Sequence, residues 1–340
     1  MEYRTLGRTG MHVSTFCLGT MVLGAWGNRD EDECQAIIHT ALDAGVNFID
    51  TADMYAFGES EEIVGRALRG RRDSVILATK FFNAMGEDAN HRGASRRWIV
   101  RAVEDSLRRL ETDWIDLYQV HRPDPDTDLD ETLGALSDLV HAGKIRAFGT
   151  STFPAELLVE AQWMADRRGH VLPSTEQPPY SLFARGSERA VLPTCQRYGL
   201  GVLVWAPLNG GWLTGQYRDG HAPPSSRAAR EPDHFDFGGT VHERKMALVE
   251  DLLQIADEAG LRLVDLAHAF VLAHPAVTSA IVGPRTLGQL EDALAGAGTQ
   301  VPGDVWDRVD AVVPPGLTLN PYDDGYEPPD LGDAARRRRR

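Results

Sequence analysis

Four residues of the kinds that move protons follow one another along the first part of the chain: Asp50, Tyr55, Lys80 and His121. Asp50 closes the run Asn47-Phe48-Ile49-Asp50, and Tyr55 hangs in the loop before a helix opening at Glu59-Ser60-Glu61-Glu62. Lys80 closes "SVILATK", and His121 closes "IDLYQVH". A free phenol ionises near pH about 10, too high for an efficient proton donor at neutral pH. A lysine ammonium beside it would stabilise phenolate, and a buried ammonium needs a counter-charge, which Asp50 can supply. A histidine at the same rim can donate a hydrogen bond that orients a carbonyl oxygen. Together the four would protonate an oxyanion as it develops on a carbonyl substrate. Each alone has a plainer role: a helix cap for Asp50, core packing for Tyr55, half of a structural ion pair for Lys80, a satisfied rim histidine for His121. It is their joint placement that points to catalysis.

That placement depends on the elements. Eight strand-like runs, at 14–19, 47–51, 74–80, 115–121, 145–151, 174–177, 201–207 and 278–283, alternate with helical patterns. The first helix reads "DEDECQAIIHTALDAG", with Cys34, Ile37, Ile38, Ala41 and Leu42 at helical spacing and Gly45 as its stop. Others are predicted at Ser95–Leu110, 129–142, Pro154–Met164, 186–197, 241–273 and Thr286–Ala295. Near-continuous apolar strands alternating with helices mean a parallel sheet covered on its outer face, and eight units mean a (β/α)8 barrel. A doubly wound sheet is the runner-up, but no G-x-G-x-x-G follows the first strand. The opening "EYRTLGRTGMHVS" reads as a hairpin outside the alternation, capping the barrel bottom. Residues 1–320 are expected to form one domain and 321–340 a tail with a disordered, solvated Arg-rich end. Active sites of such barrels lie at the C-terminal ends of the strands, where Asp50, Lys80 and His121 stand on three successive ones.

Composition narrows the functional classes. The formal net charge of −15 argues against nucleic acid or an anionic membrane surface as a partner. No apolar run approaches the roughly 20 residues of a membrane span, and the N-terminus lacks a signal-peptide core. Cys17, Cys34 and Cys195 have no metal-ligand spacing, so no metal is expected and a reduced cytoplasm fits. Lys80, Lys144 and Lys245 are the only lysines, so 35 − 3 = 32 basic residues are arginines, and a lysine in a special place stands out.

The segments "GVNFIDTADMYAFGESEEIVGRAL", "ILATK", "DLYQVHRPDP" and "GTST" resemble successive signatures of the aldo-keto reductase family, with a likeness running from about residue 3 to 297. The resemblance implies NADPH-dependent carbonyl reduction on a barrel, with the family's Tyr, Lys, Asp and His falling on Tyr55, Lys80, Asp50 and His121. It further implies that Ser151 and Gln177 hold the nicotinamide carboxamide and that Trp205 lies on the nicotinamide ring. Ala206, Pro207, Leu208 and Gly210 would line the pyrophosphate, and Thr20 and Met21 would border ribose and nicotinamide. Arg227 and Arg285 would meet a 2′-phosphate, which calls for paired cations. Gly283, Gln289 and Asp292 would lie near the adenosine. Thr152, Gln216 and Ala293 depart from the family pattern, which keeps NAD as the alternative to NADP.

Trp26, Phe81, Phe82 and Trp212 are candidate walls for a small-molecule carbonyl substrate, and "PDHFDFGG" (232–239) a candidate mobile lid. Two rival functions share these features. One is a Schiff-base aldolase using Lys80, and the other a non-catalytic NADP-binding regulatory subunit.

Overall fold

The computed structural model describes every residue except 219, 225, 231–234, 236, 238, 333, 339 and 340. The chain opens with a two-stranded antiparallel hairpin, β1 (Tyr3–Thr5) and β2 (His12–Ser14). Eight parallel strands then close a barrel: β3 (Phe16–Gly19), β4 (Phe48–Asp50), β5 (Ile76–Phe81), β6 (Ile115–Val120), β7 (Ile145–Ser151), β8 (Thr175–Gln177), β9 (Gly201–Val204) and β10 (Ser279–Val282). They pair in chain order, and β10 closes on β3 through Ala280↔Phe16 and Val282↔Leu18.

Around the barrel lie α1 (Glu31–Asp43), α2 (Glu59–Ala67), α3 (Arg96–Arg109), α4 (Leu129–His141), α5 (Ala155–Arg168) and α6 (Val191–Tyr198). The connection after β9 is long, with a 3-10 turn at Asn209–Thr214 and a short α7 (Arg227–Arg230) before α8 (Thr240–Glu258) and α9 (Leu263–Ala273). After β10 come α10 (Leu287–Ala295), α11 (Gly303–Val312) and the one-turn α12 (Pro329–Gly332) and α13 (Ala334–Arg337). The caps follow residue chemistry: Asp30, Ser95, Asp128 and Thr286 each accept a hydrogen bond from a first-turn N–H.

The barrel interior explains the strand pattern. β6 is buried at every position, and Cys17, Phe48, Ala78, Leu117, Ala147 and Leu203 form an inner cluster. Leu6 and Val13 of the hairpin join that cluster with no exposed surface, so the hairpin plugs the N-terminal end. Gly7 makes the seat possible: its φ is +53°, and a Cβ there would lie 2.5 Å from the Gly201 nitrogen. The Arg4 guanidinium fixes the hairpin by donating to the Leu272 and Val277 carbonyls at 3.0 and 2.8 Å.

The predicted single helix over 186–197 is two elements, a 3-10 turn at Gly186–Arg189 and then α6, separated by Ala190 at φ −144°, ψ −45°. Pro193 is the reason. Inside a longer helix its ring would clash with the Arg189 carbonyl, whereas in the first turn of α6 its missing N–H costs nothing. Beyond residue 316 the chain crosses the open end of the barrel. Leu319 donates to the Phe183 carbonyl, and Pro321–Asp324 form a 3-10 turn. The proposed lid at 232–239 lies mostly outside the described residues, as do the last two positions of the Arg-rich end. Among the described residues no helix is long and apolar enough to cross a membrane.

Candidate active site

The parallel register brings polar side chains from four strands to one point at the open end. Asp50 ends β4, Lys80 sits on β5 directly opposite Gln119 of β6, and Gln177 ends β8. Lys80 is wholly buried, and its Nζ uses all three of its hydrogens. It donates to Asp50 Oδ1 at 2.5 Å, the Thr51 carbonyl at 2.8 Å and the Tyr55 hydroxyl at 3.2 Å. The other Asp50 oxygen accepts from Gln119 at 3.1 Å and Gln177 at 3.0 Å. Burial alone would lower the Lys80 value. The Asp50 charge and the bonds to Asp50 and Tyr55 outweigh it, so the amine is held above its ordinary value.

Tyr55 opens a 3-10 turn, Tyr55–Gly58, in which Ala56 and Phe57 take φ +49° and +55°. Two consecutive non-glycine residues in left-handed backbone are strained, and such strain persists where a surrounding structure demands it. Here α2 begins immediately afterwards and anchors the turn. Ser60 donates to Thr20, and the fully buried Glu61 binds Thr79 at 2.6 Å and Arg109 at 2.7 Å. The loop is therefore pinned on both sides, and the phenol is delivered to the ammonium.

His121 follows β6, its ring edge-on to Tyr55 with 6.0 Å between centroids. The Asn83 amide nitrogen lies 3.2 Å from His121 Nδ1, so Nδ1 accepts and the neutral ring carries its proton on Nε2. Burial, together with the nearby Lys80 and Arg122 charges, pushes the imidazole well below its usual value. The four residues thus meet around one mouth: an ammonium locked by a carboxylate, a phenol on that ammonium, and a neutral imidazole beside the phenol.

The residues expected to hold a cofactor form a band next to this point. Thr20 is buried, with its hydroxyl on the Asp50 carbonyl, and half-buried Met21 follows it. Ser151 donates to the Gln177 carbonyl at 2.9 Å, and the Trp205 indole donates to the same oxygen at 3.2 Å. Past Trp205, the chain Ala206-Pro207-Leu208-Asn209-Gly210 runs in left-handed backbone at Ala206 (φ +60°), Asn209 (+48°) and Gly210 (+68°). Successive strained peptide units of this kind present N–H groups to a phosphate. Arg227 lines a cavity of about 80 Å³ together with Trp205, Ala206, Gly210, Lys245 and Tyr322. Arg285 pairs with no acid among the described residues, and its buried Nε has no partner, while Gln289 accepts from the Arg285 N–H. Gly283 is exposed beside β3. Asp292 is already engaged, paired with Arg262.

The candidate walls separate. The Trp26 ring stands 6.3 Å from Tyr55 and 6.1 Å from Phe57. Phe82, half-buried, takes φ +140° where the chain leaves β5. Phe81 is wholly buried against Tyr118. Trp212 lies in an aromatic cluster with Tyr217, Phe235, Phe237 and His242, beyond Trp205.

Several residues of the site were not singled out from the sequence. Gln119 is a polar residue inside an apolar strand, and that interruption could have marked it. Asn83 and Arg122 sit in loops without pattern. Lys245 of α8 is 2% exposed and donates to Asp323 Oδ2 at 2.7 Å and Asn209 Oδ1 at 2.8 Å. That bond draws the C-terminal segment onto the loop after β9, and a Cβ on Gly325 would lie 2.7 Å from the Trp205 ring. Among the described residues no cluster of His, Cys, Asp and Glu is placed to hold a metal ion.

Comparison with known proteins agrees with this architecture. Residues 15–314 match the profile of the aldo/keto reductase family. The chain is 39% identical to an uncharacterized oxidoreductase, YrpG, of Bacillus subtilis (strain 168), over 86% of this chain and 90% of that one. It is 38% identical to the aldo-keto reductase YhdN of the same organism, over 86% and 87%. A probable voltage-gated potassium channel subunit beta of Oryza sativa subsp. japonica is 37% identical, over 92% of this chain and 97% of that one. Barrel, strand-end chemistry and these matches together place the chain in the aldo/keto reductase family, as an oxidoreductase of the kind that acts on small-molecule carbonyls.

Proposed function

We propose that this oxidoreductase reduces an aldehyde or ketone, sugar and deoxysugar derivatives included, to the alcohol, with NADPH as cofactor and Tyr55 as proton donor. The observation that carries this is Lys80 Nζ lying between Asp50 Oδ1 at 2.5 Å and the Tyr55 hydroxyl at 3.2 Å. When bound, the reduced nicotinamide supplies a hydride to the carbonyl carbon. As charge builds on the carbonyl oxygen, Tyr55 gives up its proton and the Lys80 ammonium stabilises the phenolate left behind. Asp50 keeps Lys80 charged through that step. His121, neutral and protonated on Nε2, is the donor available to orient the carbonyl oxygen.

Ser151 and Gln177 would hold the carboxamide and Trp205 the ring face, while the Ala206–Gly210 backbone would take the pyrophosphate. The partnerless Nε of Arg285 suits the 2′-phosphate, with Arg227 beside the pyrophosphate band, and this favours NADPH over NADH. Schiff-base chemistry is disfavoured, because it needs a neutral amine and Lys80 is held protonated with every hydrogen committed. A regulatory, non-catalytic role has one point in its favour, the channel-subunit names of related plant proteins.

The purified protein is expected to oxidise NADPH when given 4-nitrobenzaldehyde. Tyr55→Phe should lower kcat by about 100- to 10,000-fold with NADPH binding retained, as read by fluorescence titration. Full activity in Tyr55→Phe would show that another group donates the proton. NADPH binding without turnover of any carbonyl would favour the regulatory role.

A further inference from the structure

Arg122 is the residue whose situation the reaction above does not explain. Three other arginines held against the barrel find a carboxylate: Arg72 binds Asp116, Arg109 binds Glu61, and Arg185 binds Glu188 and Asp310. Arg122 binds none among the described residues. Its Nη1 donates to the His121 carbonyl at 2.8 Å and to the Thr152 hydroxyl at 3.3 Å, which fixes the guanidinium between the ends of β6 and β7. Its Nε and Nη2 carry three further N–H donors, and no described residue accepts from them. A half-buried guanidinium with one edge anchored and the other edge open is arranged to receive a bidentate oxyanion.

The acids that face it do not neutralise it. They are the phenols of Tyr55 and Tyr322 and the carboxyl of Glu176. Glu176 is wholly buried. Its Oε2 accepts from Thr150 at 2.5 Å and its Oε1 from the Phe153 N–H at 3.2 Å, so both oxygens are already used. Burial pushes Glu176 up to about 8, so it is mostly neutral at neutral pH. The positive charge of Arg122 therefore stands uncompensated at the mouth, immediately after His121 in the chain, in a protein of net charge −15.

We propose that Arg122 is a specificity-determining residue that binds an anionic group, carboxylate or phosphate, carried by the carbonyl substrate a short distance from the carbon reduced at Tyr55. This rests on the reductase function proposed above and narrows it to acidic or phosphorylated aldehydes and ketones. Two near-isosteric pairs test it, 4-carboxybenzaldehyde against 4-nitrobenzaldehyde and D-glyceraldehyde 3-phosphate against D-glyceraldehyde. The wild type should favour the charged member of at least one pair in kcat/KM, and which pair shows the preference tells carboxylate from phosphate. In Arg122→Gln that preference should fall about 10- to 100-fold, mostly through KM for the charged member. Arg122→Lys should restore part of it.

A purely structural role would lower both members of a pair alike and leave the ratio untouched, and that result overturns the proposal. So does a wild type that favours the neutral member of both pairs. If no aldehyde is reduced, the reductase function fails and binding decides separately. Terephthalate and inorganic phosphate, titrated against tryptophan fluorescence in the presence of NADP, should include one that binds the wild type and loses about tenfold or more of its affinity in Arg122→Gln. Equal binding to both proteins, or none to either, would sink the anion site.

Discussion

Lys80 and Lys245 are both buried, and both donate to an aspartate, at 2.5 and 2.7 Å. Their protons are nonetheless held differently. For Lys80, burial is outweighed by Asp50 and Tyr55, and the amine rises above its ordinary value. For Lys245, burial prevails over Asp323, and the amine falls. The difference lies in the partner. Asp50 is as sheltered as its lysine, 2% exposed, and is braced by Gln119 and Gln177, whereas Asp323 is 19% exposed on a turn. A counter-charge that keeps its water screens itself, and a counter-charge held dry by other hydrogen bonds acts at full strength. The first pair holds a charge steady next to the Tyr55 phenol. The second fastens one segment of chain to another.

Removing each lysine should show this contrast. Lys80→Met leaves Asp50 buried with two amide donors but no counter-charge, which should cost about 3–5 kcal/mol of stability in urea titrations and lower kcat/KM by about 1,000-fold or more. If the variant keeps wild-type turnover, the ammonium has no part in stabilising phenolate.

Glu176 is the third case, a buried ionisable group with no close counter-charge. Its folded-state value of about 8 exceeds the ordinary 4.5, so the folded protein binds the extra proton between those limits. The stability this gives is present in full below about pH 4.5 and is lost as pH rises towards 8. His121 and His268 are depressed, the latter to about 4, so they act the other way, favouring the fold as pH rises from about 4 to 6.5. Buried Asp53 is raised as well, so Glu176 is read from the difference between variant and wild type: from pH 6.5 to 8.5, Glu176→Gln should flatten the decline in stability. An unchanged slope would mean that the carboxyl is already ionised in the folded protein.

The smallest effect belongs to Lys245→Met, expected to cost about 1–2 kcal/mol because Asp323 can return to water. The clearer readout is local. Limited proteolysis should cut the segment after residue 316 faster in the variant, and equal rates would show that the pair fastens nothing.

The same contrast explains what could be read in the sequence. Asp50, Lys80 and His121 were legible because a polar residue closing an apolar strand breaks a pattern, and Tyr55 because it stands in the loop between two clear elements. The strands and most helices followed from period alone. Asp323 was not legible, since it sits 78 residues from Lys245 in a turn without periodicity. The break at Ala190 was hidden because the apolar spacing there suits one helix, and only the position of Pro193 argues for two. Trp212 shows the limit for aromatics: residue type does not reveal that its ring both packs in a cluster and lines the cavity beside Trp205 and Arg227.

The pairing of β3 with β10 has a consequence for how the molecule comes into being. Phe16 meets Ala280 across that seam. On a ribosome, one edge of the earliest barrel strand waits, its amides unsatisfied, until almost the whole chain has emerged. Such long-separation closure is slow and leaves an edge open to wrong neighbours. The clamp of the preceding hairpin onto Leu272 and Val277 can likewise set only at the end. Refolding should thus show its last phase at this junction, where the first and final strands zip together.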